Sequence, residues 1–73
     1  MFSYTYVLRC KDNNLYIGST TDLKRRIREH QDGKVSATEY RLPVTLVYYE
    51  ACRSEPAARV REKQLKTGFG RRY

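Results

Sequence analysis

Two segments of alternating side chains, Ser3–Cys10 and Leu15–Ser19, are separated only by the polar stretch Lys11-Asp12-Asn13-Asn14. A chain that begins this way has one economical start, a β-hairpin. In the first segment Tyr4, Tyr6 and Leu8 fall on one face and Thr5, Val7 and Arg9 on the other, an order of aromatic and β-branched residues that suits a pleated strand. The return strand Leu15-Tyr16-Ile17-Gly18-Ser19 runs into Thr20-Thr21-Asp22, which supplies N-cap chemistry for a helix predicted to about Gln31. Leu23 and Ile27 give that helix its apolar stripe, Lys24, Arg25 and Arg28 point outward, and Asp32-Gly33 stops it.

A loop from Lys34 to Leu42 follows, with Ser36, Thr38 and Arg41 as its polar contents. Pro43 opens a third strand, Val44 to Glu50, whose nearly continuous apolar character predicts cover on both faces and a central place in the sheet. Ser54-Glu55-Pro56 reads as a helix start, and the second helix is expected to reach about Lys66 and end at Gly68. The expected fold is therefore α+β within the broad α/β class: a small three-stranded antiparallel sheet flanked by helices, in the order β-β-α-β-α. At 73 residues the chain has room for one domain, residues 1–73, with a thin stability margin.

The charge narrows the partner. Fifteen Lys and Arg against eight Asp and Glu give a net charge of +7, and ten of the fifteen are arginine, which suits bidentate phosphate contact. Nucleic acid, an anionic membrane surface and an acidic protein are the common partners of such a chain. No apolar run approaches the roughly 20 residues of a membrane span, and Met1-Phe2-Ser3-Tyr4 leads straight into the first strand with no signal peptide expected. Cys10 and Cys52 are too few for a disulfide scaffold and lack metal-ligand spacing, so reduced thiols in a cytoplasmic protein are expected, with a direct bond open if their strands are neighbours. From Arg59 onward Arg59, Arg61, Lys63, Lys66, Arg71 and Arg72 face a single acid, Glu62, forming a candidate phosphate-tracking patch together with Lys24 and Arg25 of the first helix. No sequence-reading module accompanies it, so binding should be salt-sensitive and structure-guided or nonspecific.

Several residues break the local pattern. Glu62 shares a helix face with Ala58 and Leu65, and a carboxylate there needs a counter-charge, either a metal ion or an arginine of the first helix. Arg26 and His30, one turn apart, border the Leu23–Ile27 stripe and either form part of a solvated face or reach the sheet beside the hairpin. Gly18 either eases the turn into the helix or lets a backbone or substrate approach closely. Tyr6 and Tyr16, taken singly, are ordinary amphipathic sheet residues.

Taken together these residues resemble the GIY-YIG nuclease family over practically the whole chain. Tyr4-Thr5-Tyr6 occupies the GIY position, with Tyr4 where that motif has glycine, and Tyr16-Ile17-Gly18 matches YIG outright. Arg26 and His30 follow Tyr16 in the family's Tyr-x9-Arg-x3-His spacing, and Glu62 within Arg61-Glu62-Lys63-Gln64-Leu65-Lys66 matches its glutamate on a later helix. The run from Leu15 to His30 is most similar to small stand-alone bacterial members. A downstream asparagine used by some members has no counterpart here. The resemblance implies an endonuclease with catalytic Tyr6, Tyr16, Arg26, His30 and Glu62, in which Glu62 holds one Mg²⁺ or Mn²⁺. It implies a nucleic-acid partner, DNA above all, specificity gained from a protein partner, and a part in repair, recombination or mobile-element chemistry; a monomer is the default expectation for so small a chain. The competing expectation is a catalytically silent nucleic-acid-binding module.

Overall fold

The computed structural model describes the backbone of residues 2–72 and the side chains of residues 2–68. Its elements are β1 (Ser3–Arg9), β2 (Leu15–Thr20), α1 (Leu23–Gln31), β3 (Thr45–Cys52) and α2 (Glu55–Arg72). The three strands form one antiparallel sheet in the order β2-β1-β3, so the α+β architecture and β-β-α-β-α order are those expected. The hairpin turn uses Asn13 at φ 66°, and Asp12 caps it by accepting from the Asn14 amide at 3.1 Å.

The central strand is β1, not β3. Thr5, Tyr6, Val7 and Leu8 are all buried, whereas Val47, Tyr48 and Tyr49 of β3 are exposed on an edge. An apolar run reports the wish to be covered, but the hairpin already gives β1 one partner and the return of the chain after α1 gives it the second. The register against β3 shifts between Val7 and Leu8, a bulge that bends the edge strand. A second difference lies in α2, which continues through Gly68 to Arg72. Glycine ends a helix by adopting a left-handed conformation, and the only glycine with positive φ among the described residues is Gly33.

One core lies between the sheet and α1, where Tyr6, Leu8, Cys10 and Val44 meet Leu23, Ile27, Leu42 and Leu46. The alternate side chains of β1 face α2, and there Thr5 Oγ1 donates to the Ala58 carbonyl at 2.8 Å, both residues being fully buried. Cys10 and Cys52 are both free thiols. No described helix is long and apolar enough to cross a membrane.

Both ends of α1 are fixed by short-range hydrogen bonds. Asp22 Oδ1 accepts from the Arg25 amide at 3.2 Å, capping the N-terminus. At the other end the Gly33 amide donates to the His30 carbonyl and the Lys34 amide to that of Glu29, the two bonds of a Schellman turn. Gly33, at φ 75°, thereby sends the chain back across the end of α1, and Val35 and Thr38 become buried.

Candidate active site

Tyr6 and Gly18 are direct partners in the β1–β2 register. The phenol of Tyr6 lies over Gly18 so closely that a Cβ there would stand 2.5 Å from Oη and 2.7 Å from Cζ. Gly18 is thus buried beneath a side chain of its own sheet, and the close approach foreseen for a substrate is made by Tyr6. Tyr16 precedes it on the same face, its ring centroid 6.4 Å from that of Tyr6.

His30 enters from α1 and is fully buried, deeper than its expected place at the border of the apolar stripe. Its Nε2 is 2.8 Å from Tyr6 Oη, and its ring centroid is 5.1 Å from that of Tyr16. Arg26, one turn earlier, sets its guanidinium beside the Tyr6 hydroxyl and donates from Nη1 to Glu29 Oε1 at 3.2 Å. The spacing of four residues between Arg26 and His30 therefore delivers both side chains to one phenolic oxygen.

Glu62 arrives from the other helical layer. Ser19, Arg59, Lys63 and Lys66 line a pocket with it, and its charge is still felt at Tyr6. Its counter-charge is Lys66 of the same helix, with Nζ 2.8 Å from Oε2, where an arginine of α1 was the expected alternative to a metal. Only 21% of the Glu62 side chain is exposed.

The electrostatics set limits on the chemistry. Burial pushes the Tyr6 phenol up to about 12, against the Arg26 guanidinium, which pulls it down; Tyr16 and Glu62 add to the rise. The arginine that was expected to make Tyr6 a usable base is present, but in the metal-free chain desolvation outweighs it. Burial opposes the charge of Arg26 as well, yet its contacts with Tyr6 and Glu29 leave it above its ordinary value. His30 is pulled down to about 4, first by burial and then by Arg26, with Glu29 opposing. The imidazole is consequently neutral at physiological pH.

That last shift predicts a pH dependence of stability. The unfolded chain takes up a proton on His30 near pH 6.5, the folded chain only near 4, so the contribution is complete above 6.5 and is lost as pH falls through 4. A shift of this size corresponds to roughly 3 kcal/mol. Thermal unfolding followed from pH 7 down to 4 should show Tm falling from about pH 6 in wild type and staying flatter in His30→Gln.

The basic residues divide. Lys24, Arg25 and Lys63 are exposed, and Lys24 and Lys63 enter no ion pair among the described residues. Arg25 lies 4.0 Å from Asp22 and 3.9 Å from Glu29. Arg61, expected to meet phosphate, instead donates from Nε to both carboxylate oxygens of Glu50 on β3 at 3.0 Å. Lys66 is engaged with Glu62, and Arg71 and Arg72 lie outside the described side chains. The residue that sequence reasoning missed is Thr38, fully buried with Oγ1 2.8 Å from His30 Nδ1. Nothing in its loop separated it from Ser36, and the one clue was Gly33, whose turn folds that loop over α1.

Known proteins resemble this chain over most of its length. A family model described as the GIY-YIG catalytic domain matches residues 2–73. A UPF0213 protein of Streptococcus pyogenes serotype M5 (strain Manfredo) is 51% identical over 65 residues, 88% of this chain and 71% of that protein. A UPF0213 protein of S. pyogenes serotype M3 (strain SSI-1) matches with the same identity and coverage, 51% over 65 residues. Among solved structures, the solution NMR structure of a UPF0213 protein from Bacillus halodurans is 41% identical, with a TM-score of 0.57 over 92% of this chain and 72% of that one. With a matching domain model over nearly its full length and the Tyr6, Tyr16, Arg26 and His30 side chains gathered at one point of the expected fold, this chain belongs to the GIY-YIG family.

Proposed function

We propose that this chain is a metal-dependent endonuclease that hydrolyses phosphodiester bonds of nucleic acid, DNA above all, acting as a monomeric single domain in the cytoplasm. The observation that carries the reading is the convergence of Arg26 and His30 on the Tyr6 oxygen, beside Tyr16 and over Gly18. A buried phenol with a fixed cation and an imidazole at the same oxygen is an arrangement for moving a proton, which a structural tyrosine does not need.

In this reading Tyr6, as its phenolate, takes a proton from a water whose oxygen forms a bond to phosphorus, the bond to the 3′ oxygen breaks, and the departing alkoxide takes a proton from solvent. Arg26 neutralises charge on the phosphate as it builds in the transition state and favours the Tyr6 phenolate. Tyr16 orients the water or phosphate, and His30 donates a hydrogen bond to Tyr6. The residues present also fit one hard divalent cation. Glu62 offers a partly exposed carboxylate whose present partner is a lysine on a flexible, exposed stem, and Mg²⁺ or Mn²⁺ sites commonly use one or two carboxylates with retained waters. When bound, the ion would supply charge neutralisation at the phosphate and at the departing oxygen.

Grip on the substrate falls to the exposed basic residues, of which Lys63 lines the Glu62 pocket and enters no ion pair among the described residues. Lys63→Gln should weaken DNA binding similarly across sequences and lower the salt slope by about one, measured by titration at several salt concentrations. Arg61→Gln should leave that slope near its wild-type value, because Glu50 already holds Arg61. The alternative reading, a binding module without turnover, is favoured by the burial of Tyr6, which is 1% exposed, because desolvation opposes the phenolate that a general base needs.

Incubation of plasmid and of labelled single-stranded, duplex and branched DNA with Mn²⁺, Mg²⁺ or EDTA, wild type beside Glu62→Ala, decides between them. Metal-dependent cutting that disappears in the variant supports the nuclease and identifies its preferred substrate. DNA bound but never cut by the wild type supports the module.

A further inference from the structure

Thr38 is buried against the site and has no part in the scheme above. Among the described residues its hydroxyl has one side-chain partner, Nδ1 of His30 at 2.8 Å, while the other ring nitrogen, Nε2, faces Tyr6 Oη at the same distance. Tyr6 is 1% exposed and His30 and Thr38 are both 0% exposed, so the two hydrogen bonds that link the three groups are shielded from solvent. We infer that Thr38 is a positioning residue: by donating its hydroxyl proton to Nδ1 it keeps the imidazole proton on Nε2, aimed at the Tyr6 oxygen.

Three protons serve these contacts, and either tautomer leaves one of them over until Tyr6 ionises. The threonine hydroxyl, the neutral imidazole and the phenol carry one each, and the two contacts between them take two. One proton is therefore left over while Tyr6 is neutral. If the imidazole proton sits on Nδ1, Tyr6 donates to Nε2, Nδ1 donates to Thr38, and the surplus proton is that of Thr38. If it sits on Nε2, Thr38 donates to Nδ1, Nε2 donates to Tyr6, and the surplus proton is that of Tyr6 itself, at the candidate site.

Ionisation of Tyr6 separates the two arrangements completely. With the proton on Nε2, loss of the Tyr6 proton leaves both contacts filled, the imidazole neutral and the phenolate receiving donors from His30 and Arg26. With the proton on Nδ1, the lone pair of Nε2 faces the phenolate unless the ring becomes an imidazolium. Burial holds His30 down to about 4, which disfavours that charged form. The fold makes the arrangement through the Schellman turn at Gly33, which returns the chain over α1, and through the Thr38 amide, which donates to the Val35 carbonyl at 3.0 Å. Thr38 acts on Tyr6 only through His30.

The inference rests on the proposed role of Tyr6, but its first test does not involve cleavage. The chain has a single histidine, so a long-range ¹H–¹⁵N spectrum of the labelled protein reports one imidazole. At neutral pH the wild type and Thr38→Ser should show Nε2 protonated and Nδ1 not, and Thr38→Val should lose that single tautomer. In single-turnover cleavage Thr38→Val should cut about tenfold more slowly at unchanged DNA affinity, the loss expected from weakening one hydrogen bond to the transition state, with Thr38→Ser restoring the rate. A wild-type spectrum with the proton on Nδ1 overturns the inference, as does a Thr38→Val variant that keeps the wild-type tautomer and rate. The assigned tautomer in a chain that never cuts would support the hydrogen-bond assignment and overturn the nuclease reading, so the two failures are distinct.

Discussion

Tyr6→Phe should cut DNA roughly 10² to 10⁴ times more slowly than wild type, the usual loss when a general base is removed. The ring is 1% exposed and packs with Leu8, Cys10 and Val44, and phenylalanine keeps that volume. What disappears is the oxygen on which His30 and Arg26 converge. Losing it strands a buried imidazole group at a cost of about 1–3 kcal/mol. In a chain this short each kcal/mol lowers Tm by about 4–8 °C, so the variant should melt earlier yet remain folded at room temperature. DNA affinity should not change, since the exposed basic residues are untouched. A Tyr6→Phe variant that cuts at the wild-type rate would remove the phenol from the mechanism.

Gly18→Ala should be nearly as damaging, for a steric reason. The new methyl would sit 2.5 Å from Tyr6 Oη and 2.7 Å from Cζ, and 3.2 Å from Tyr16 Cε2. A flexible side chain would simply move, but the Tyr6 oxygen is held by His30 at 2.8 Å in a fully buried setting. The phenol must therefore shift or the two strands must separate. Overpacking of this kind costs about 1–3 kcal/mol. A displacement near 1 Å at a reacting group is enough for about a 10²-fold loss of rate. The expected outcome is a folded variant with lowered Tm, a changed His30 ¹⁵N spectrum and cleavage reduced by about two orders of magnitude. Unchanged cleavage and Tm would mean that Tyr6 has more freedom than its surroundings allow.

These two variants also show which parts of the molecule could be read without coordinates. The hairpin, both helices and the order of elements follow from short-range patterns: alternation in Tyr4 to Arg9, the polar stretch at Lys11–Asn14, caps at Asp22 and Ser54. The helical spacing of Arg26 and His30 puts both on one side of α1, but whether that side meets the sheet or solvent was left open until the burial of His30 decided it. What such patterns lack is information on pairing between distant segments. The apolar run of β3 suggested a central strand, but position in the sheet depends on which strand finds two partners, and β1 does. Gly68 suggested a stop, but a glycine ends a helix only when the following chain turns, and α2 continues.

The site shows the same division. Tyr6, Tyr16, Arg26 and His30 were identifiable as a set, and the chain brings them together. Their energetics were not: whether Arg26 or desolvation prevails at Tyr6 depends on how deeply the ring is covered, which no spacing reveals. Arg61 and Lys63 look equivalent in sequence, and only the position of Glu50 on β3 separates the occupied cation from the available one. Thr38 became visible through the tertiary contact with His30, Gly33 being its one clue in the sequence.

The central claim is that the cluster around Tyr6 and the carboxylate of Glu62, supplied by opposite layers, serve one transition state. A double-variant cycle of single-turnover cleavage in Mn²⁺, comparing wild type, Tyr6→Phe, Glu62→Gln and the double variant at matched DNA saturation, tests it most directly. Groups that act as a unit lose far less together than the product of their separate losses, so the double variant should cut no more slowly than the worse single one. Losses that multiply, or a Glu62→Gln variant that cuts as fast as wild type, would contradict it.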